Sequence, residues 1–129
     1  MIYLDYSANT PANPAVLETF CKTEQIYPGN PNSTHPAGRA AKKELNRITG
    51  SIAGLLGVLR SEIILTSGAS ESNNLALKGI AQASRHVGRH IISTALEHAS
   101  VGGALTALQG QGWEIDLLDI QPDGTVDLE

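Results

Sequence analysis

The chain has 129 residues, 41% hydrophobic and 4% aromatic, and its 9 basic against 13 acidic residues give a net charge of −4. That suits one domain, or a large part of one, with a modest aliphatic core, and no block of like charge stands out to attract nucleic acid or an anionic membrane. The opening lacks a basic-then-apolar leader and nowhere do about eighteen apolar residues run together, so a soluble, cytoplasmic protein is expected, and a single cysteine, Cys21, excludes an internal disulfide framework.

Tyr3 to Ser7 reads as a short extended segment, broken by the Asn/Pro-rich stretch from Asn9 to Pro14. Residues 1–13 are accordingly set apart as an entry segment from residues 14–129. A first helix is expected from Pro14, an early helical position that suits proline, to Tyr27-Pro28-Gly29, with Val16, Leu17 and Phe20 turned inward. Three prolines among Asn, Ser and Gly between Pro28 and Pro36 predict a loop of defined shape. From Gly38 the spacing of Ala41, Leu45, Ile48, Ile52 and Leu55 predicts a second helix, with Lys42, Lys43, Glu44 and Arg47 facing solvent.

The second half alternates by type, with strands expected over 62–66, 89–94 and 114–120 and helices over 70–84 and 98–110. That is βαβαβ, an α/β arrangement with parallel strands joined by crossover helices. Gly110-Gln111-Gly112 stops the last helix, and Gln121-Pro122-Asp123-Gly124 makes a turn after the last strand. A three-stranded parallel sheet by itself would leave at least one long apolar edge open, so the ending reads as unfinished.

Two features carry chemistry. Thr66-Ser67-Gly68-Ala69-Ser70-Glu71-Ser72-Asn73-Asn74 lies at the expected strand-to-helix junction. There the first helical amides are unpaired and the Ser70 hydroxyl adds a donor, an arrangement that holds phosphate. The same composition would also serve an ordinary capped helix. His98 follows the strand ending near Thr94, at the carboxyl edge where open α/β sheets bind ligands. A histidine suits both stacking and proton transfer, although bordering a helix start is the plainer role. Glu97 reads as a helix-start or supporting carboxylate. No pair among His35, His86, His90 and His98 shows a metal-ligand pattern, so no metal site is expected.

Together with Tyr3-Leu4-Asp5-Tyr6-Ser7-Ala8-Asn9-Thr10-Pro11 and Gly29-Asn30-Pro31-Asn32-Ser33-Thr34-His35, these motifs resemble the cysteine desulfurases, class-V aminotransferase-like enzymes of pyridoxal-phosphate fold type I. The resemblance runs from end to end and implies the N-terminal part of the large domain, with the parallel βαβαβ preceded by two helices. It implies pyridoxal phosphate as cofactor, held at its phosphate by Ala69 and Ser70, and His98 as the ring that stacks on the cofactor and moves protons in C–S cleavage. Asn74 matches the family's asparagine inside this helix. Asn9 stands where the family usually has threonine, and Asn30 to His35 matches a loop near the active-site mouth to which no chemical step is assigned.

By the same resemblance a complete member is far longer and carries its cofactor-binding lysine and persulfide cysteine in the C-terminal portion. Cys21 fits a small buried hydrophobe on the first helix, and Lys22, Lys42, Lys43 and Lys78 fit solvated charges on amphipathic helices. The complete enzyme would take L-cysteine and pass sulfur to an acceptor protein for iron–sulfur clusters or thio-cofactors, and this chain alone would be inactive. Three alternatives stay open: a selenocysteine lyase or aminotransferase of the same class, one chain of a split enzyme whose partner supplies the C-terminal half, and a non-catalytic fragment forming homo-oligomers through its sheet edge.

Overall fold

The computed structural model describes residues 2–127. Met1, Leu128 and Glu129, which belong to the expected opening and closing segments, lie outside the described residues. The chain divides into two compact units, one ending at Ile64 and the other beginning at Leu65.

In the first unit, the entry segment is held by its own polar groups. The Tyr3 hydroxyl donates to the carbonyls of Asp5 and Asn9, each at 2.9 Å, and the Tyr3 and Tyr6 rings meet edge to face with centroids 5.3 Å apart. Helix α1 (Pro14–Ile26) starts where Asn13 accepts the Ala15 amide at 2.9 Å and Pro14 presets the first turn. The expected inward face is not buried: Val16, Leu17 and Phe20 are all more than half exposed, and α1 buries none of its residues. Its apolar stripe finds no covering element within its unit.

Helix α2 (Pro36–Leu56) begins two residues earlier than expected, because His35 caps it by accepting the Gly38 amide at Nδ1, 3.2 Å away. The loop before it presses onto that first turn. A Cβ on Gly29 would stand 2.5 Å from the Ala37 carbonyl carbon, and one on Gly38 would stand 2.5 Å from the Ser33 carbonyl oxygen. Only glycine fits this approach at both positions, which gives the loop its defined shape. Along α2 the buried positions are Gly38, Ala41, Thr49 and Ala53, a narrower and smaller-residue stripe than expected. Ile48 is over a third exposed and Leu55 88% exposed. Gly57, at φ +68°, ends the helix in the left-handed region, and the Val58 amide donates back to Ala53 at 3.0 Å.

The expected first strand, 62–66, does not form. A single 3-10 turn occupies Arg60–Glu62, with the Arg60 guanidinium donating to Asn46 of α2 at 2.9 Å, and the residues after it carry no strand pairing. A strand exists only where a neighbour takes up its backbone donors and acceptors, and among the described residues none lies beside 62–66.

The second unit holds α3 (Ala69–Ser84), β1 (His90–Thr94), α4 (Ala99–Gln109) and β2 (Glu114–Leu118). The α/β class and the parallel order hold: β1 pairs with β2 in parallel, from His90 opposite Glu114 to Thr94 opposite Leu118, with α4 as the crossover. The core is Ala81 of α3, Leu108 of α4 and Trp113, with Ile91 and Ile115 of the two strands packed on it, and the Leu108 side chain is fully buried. Gly112 at φ +83° turns the chain after α4 so that the Trp113 amide donates to the Leu108 carbonyl at 3.1 Å, which returns the indole to the core. Beyond β2, the expected turn closes with Gly124 donating to Gln121 at 2.8 Å and an antiparallel bridge between Ile120 and Val126. No helix among the described residues is long and apolar enough to cross a membrane.

Candidate functional site

The glycine-containing turn before α3 leaves backbone donors unpaired at a helix start. Gly68 occupies the N-cap position and offers no side chain, so no cap covers the helix start. Among the described residues nothing accepts from the amides of Ala69 and Ser70 or from the Ser70 hydroxyl, and both residues are exposed. A Cβ built on Gly68 meets nothing within 4 Å. Unpaired amides at the positive end of a sixteen-residue helix, with a hydroxyl beside them, are what a phosphate needs.

The neighbouring polar groups are already engaged. Glu71 turns back on the chain and one carboxylate oxygen accepts both the amide and the hydroxyl of Ser67, each at 2.7 Å. The backbone bond first, and the hydroxyl bond with it, hold the Glu71 carboxyl below the usual carboxylate range. Thr66 and Ser72 share a 2.6 Å hydroxyl contact. Ser67, Thr66 and Ser72 therefore brace the turn, while the amides of Ala69 and Ser70 and the Ser70 hydroxyl stay unengaged among the described residues.

His98 lies four residues beyond β1, exposed, as the N-cap of α4. Its Nδ1 accepts the Ser100 amide at 3.1 Å and lies 2.9 Å from the Ser100 hydroxyl. It is thus a helix-capping histidine at the carboxyl edge of the sheet, the plainer of the two roles read from the sequence. Ser100 in turn receives a 2.9 Å hydrogen bond from the Asn73 side-chain amide, so the second turn of α3 is tied to the first turn of α4. That bond links the starts of α3 and of the histidine-bearing α4.

Asn73 and Ser100 escaped the sequence reading, which singled out Asn74. Asn74 instead donates to the Ser70 carbonyl of its own helix at 2.9 Å. The spacing of Ser100, two after a capping residue, is the signal that could have found it, because the amide there is the one a cap accepts. Nothing local distinguishes Asn73 from Asn74; only the packing of α3 on α4 does.

The remaining candidates separate. His35 caps α2, and His90 lies 2.8 Å from Asp116 across the two strands. No group of three or more His, Cys, Asp or Glu is placed to hold a metal ion among the described residues. Cys21 is exposed rather than buried, a consequence of the uncovered α1. Lys22, Lys42 and Lys43 are exposed, and Lys78 is half-buried. Glu97 is exposed and lines a cavity of about 380 Å³ with Thr94, Leu105 and Leu117.

Residues 2–129 match the family model for class-V aminotransferases. A cysteine desulfurase IscS from Rickettsia bellii is 43% identical over 129 residues, covering 99% of this chain and 32% of that protein. Among solved structures, a NifS-like protein superposes with a TM-score of 0.84 at 34% identity, covering 94% of this chain and 33% of that one. SspA in complex with cysteine superposes at 0.79 and 34% identity, covering 92% and 34%. The chain spans about a third of the length of the curated relatives it matches. A match over nearly every residue, with an α/β unit that superposes on a NifS-like protein, places this chain in the class-V aminotransferase family.

Proposed function

We propose that this chain is the N-terminal portion of a pyridoxal-phosphate-dependent cysteine desulfurase, a cytoplasmic enzyme that converts L-cysteine to L-alanine and transfers the sulfur to a cysteine thiol as persulfide. The observation that carries the reading is the uncapped start of α3, whose free Ala69 and Ser70 amides and Ser70 hydroxyl fit the cofactor's phosphate. The named relative and the cysteine-bound structural neighbour support the substrate. Residues 14–129 then form part of the cofactor-binding large domain, with residues 1–13 as its entry segment.

Pyridoxal phosphate, when bound, supplies the electron sink that labilises bonds at the substrate's α- and β-carbons. The chain's own residues supply position. Ala69 and Ser70 fix the phosphate end, which sets the depth and direction of the ring. His98, exposed at the sheet edge, offers a flat apolar face for stacking and a ring nitrogen for moving a proton. The sulfur balance is one thiol in and one persulfide out: the substrate's Cβ–S bond breaks, an S–S bond forms with the enzyme thiol, and a proton replaces sulfur on the carbon that becomes the alanine methyl. The accepting thiol, the cofactor-binding lysine and the acceptor protein for iron–sulfur cluster assembly belong to sequence outside these residues, whether on the same polypeptide or on a partner chain, and the assembled enzyme is a homo-oligomer. On its own the chain turns over no cysteine.

The test is titration of the chain with pyridoxal phosphate, followed by the amide resonances of α3. Selective movement of Ala69 and Ser70, lost in Ser70→Ala and reproduced by inorganic phosphate at higher concentration, is the expected result. Uniform insensitivity of the α3 start would refute the cradle. Alanine formation from L-cysteine by the complete enzyme, without sulfur transfer to a thiol, would instead favour the neighbouring lyase chemistry.

A further inference from the structure

The geometry points to Asn73 and Ser100 as positioning residues that hold His98 as the tautomer with its proton on Nε2, aimed away from α4. Two donors converge on Nδ1. The Ser100 amide donates at 3.1 Å, and an amide cannot act as acceptor, so Nδ1 must present its lone pair. The Ser100 hydroxyl lies 2.9 Å from the same nitrogen. Its direction is set from the other side, where the Asn73 amide donates to Ser100 Oγ at 2.9 Å and leaves the hydroxyl proton to point at the ring. The chain of donors runs Asn73 to Ser100 to His98, and it ends on an imidazole whose Nε2 carries the mobile proton.

This arrangement does two things for a histidine that stacks and moves protons. A proton on Nδ1 would break the cap of α4, so exchange with any ligand is confined to Nε2. The same bonds tie the ring to α3, the helix whose first turn forms the phosphate cradle, so phosphate position and ring position are registered through one side-chain contact. The role in the reaction rests on the desulfurase reading above; the tautomer does not.

The experiment is long-range proton–nitrogen correlation on the full chain, isotope-labelled at histidine, at alkaline pH without cofactor or substrate, with His98→Gln giving the assignment. His98 is expected as the Nε2–H form. His35, whose Nδ1 also accepts a helix amide, serves as an internal control with the same pattern. Ser100→Ala removes the hydroxyl and Asn73→Asp replaces its donor with an acceptor that draws the hydroxyl proton away. Each is expected to raise the ratio of Nδ1–H to Nε2–H at His98 roughly fivefold, leaving His35 unchanged, with Ser100→Thr restoring the original ratio. A predominant Nδ1–H form in the unsubstituted chain overturns the inference, as does a His98 ratio indifferent to both substitutions. Because no cofactor is present, failure of the desulfurase reading leaves this result standing, and a wrong tautomer overturns the relay even where the complete enzyme releases alanine.

Discussion

Leu108→Ala should unfold the second unit at markedly lower denaturant. Leu108 is fully buried between Ala81, Trp113, Ile91 and Ile115, where it joins α3, α4 and both strands. The substitution removes three carbons, about 2.4 kcal/mol at about 0.8 kcal/mol for each. The cavity left behind raises the loss to about 3 kcal/mol, since two helices and a two-stranded sheet can collapse only partly onto it. At about 0.1 kcal/mol per residue the unit beginning at Leu65 holds about 6 kcal/mol in all, so half of it goes. With a urea dependence of about 1 kcal/mol per molar, the midpoint should fall by about 3 M. The assay is fluorescence of Trp113, the chain's one tryptophan, which lies in this core and reports on this unit. Ile92→Ala, at a β1 position 59% exposed, should move the midpoint by less than about 1 M. An unchanged midpoint in Leu108→Ala, or an equal fall in both variants, would refute the assignment of this core.

Further outcomes follow from local geometry. Gly38→Ala forces a methyl to within 2.5 Å of the Ser33 carbonyl oxygen, so the first unit should lose about 1–3 kcal/mol, read as a lower melting temperature by circular dichroism. Asn13→Ala removes the cap on Ala15 and, on a helix with no buried residue to compensate, should cost about 1 kcal/mol, seen as faster amide exchange in the first turn of α1. Glu71 titrates below its ordinary value of 4.5 because the folded chain donates two hydrogen bonds to its ionised form. Its stabilising contribution is therefore complete above the unfolded value and is lost as pH falls through the folded one. Ser67→Ala should move the Glu71 titration part of the way back up in a carbon-detected pH series, the backbone bond accounting for the remainder, and no movement would exclude the hydroxyl as a cause.

The legible part of the fold was what short sequence spans control. Pro14 at an early helical position and the Gly110-Gln111-Gly112 stop after α4 are such signals, whereas the His35 cap of α2 and the left-handed Gly57 at its end were not read, and that helix was expected only from Gly38. The boundaries of α3, α4, β1 and β2 accordingly lie within two residues of those read from the sequence. The candidate site was legible to the same degree: Ala69, Ser70 and His98 sit at helix starts because Gly68 and the loop after β1 put them there.

The sequence determined the type of the four helices and of the strands over 90–94 and 114–118, because each depends on neighbours a few residues away. Tertiary structure decided the rest. Whether Val16, Leu17 and Phe20 are buried depends on a covering element, and whether 62–66 becomes a strand depends on a hydrogen-bonding neighbour; neither is supplied within the described residues. Which of two adjacent asparagines reaches Ser100 was settled by the packing of α3 on α4. A rotation of about 100° per residue turns Asn73 toward Ser100 and leaves Asn74 to its own helix.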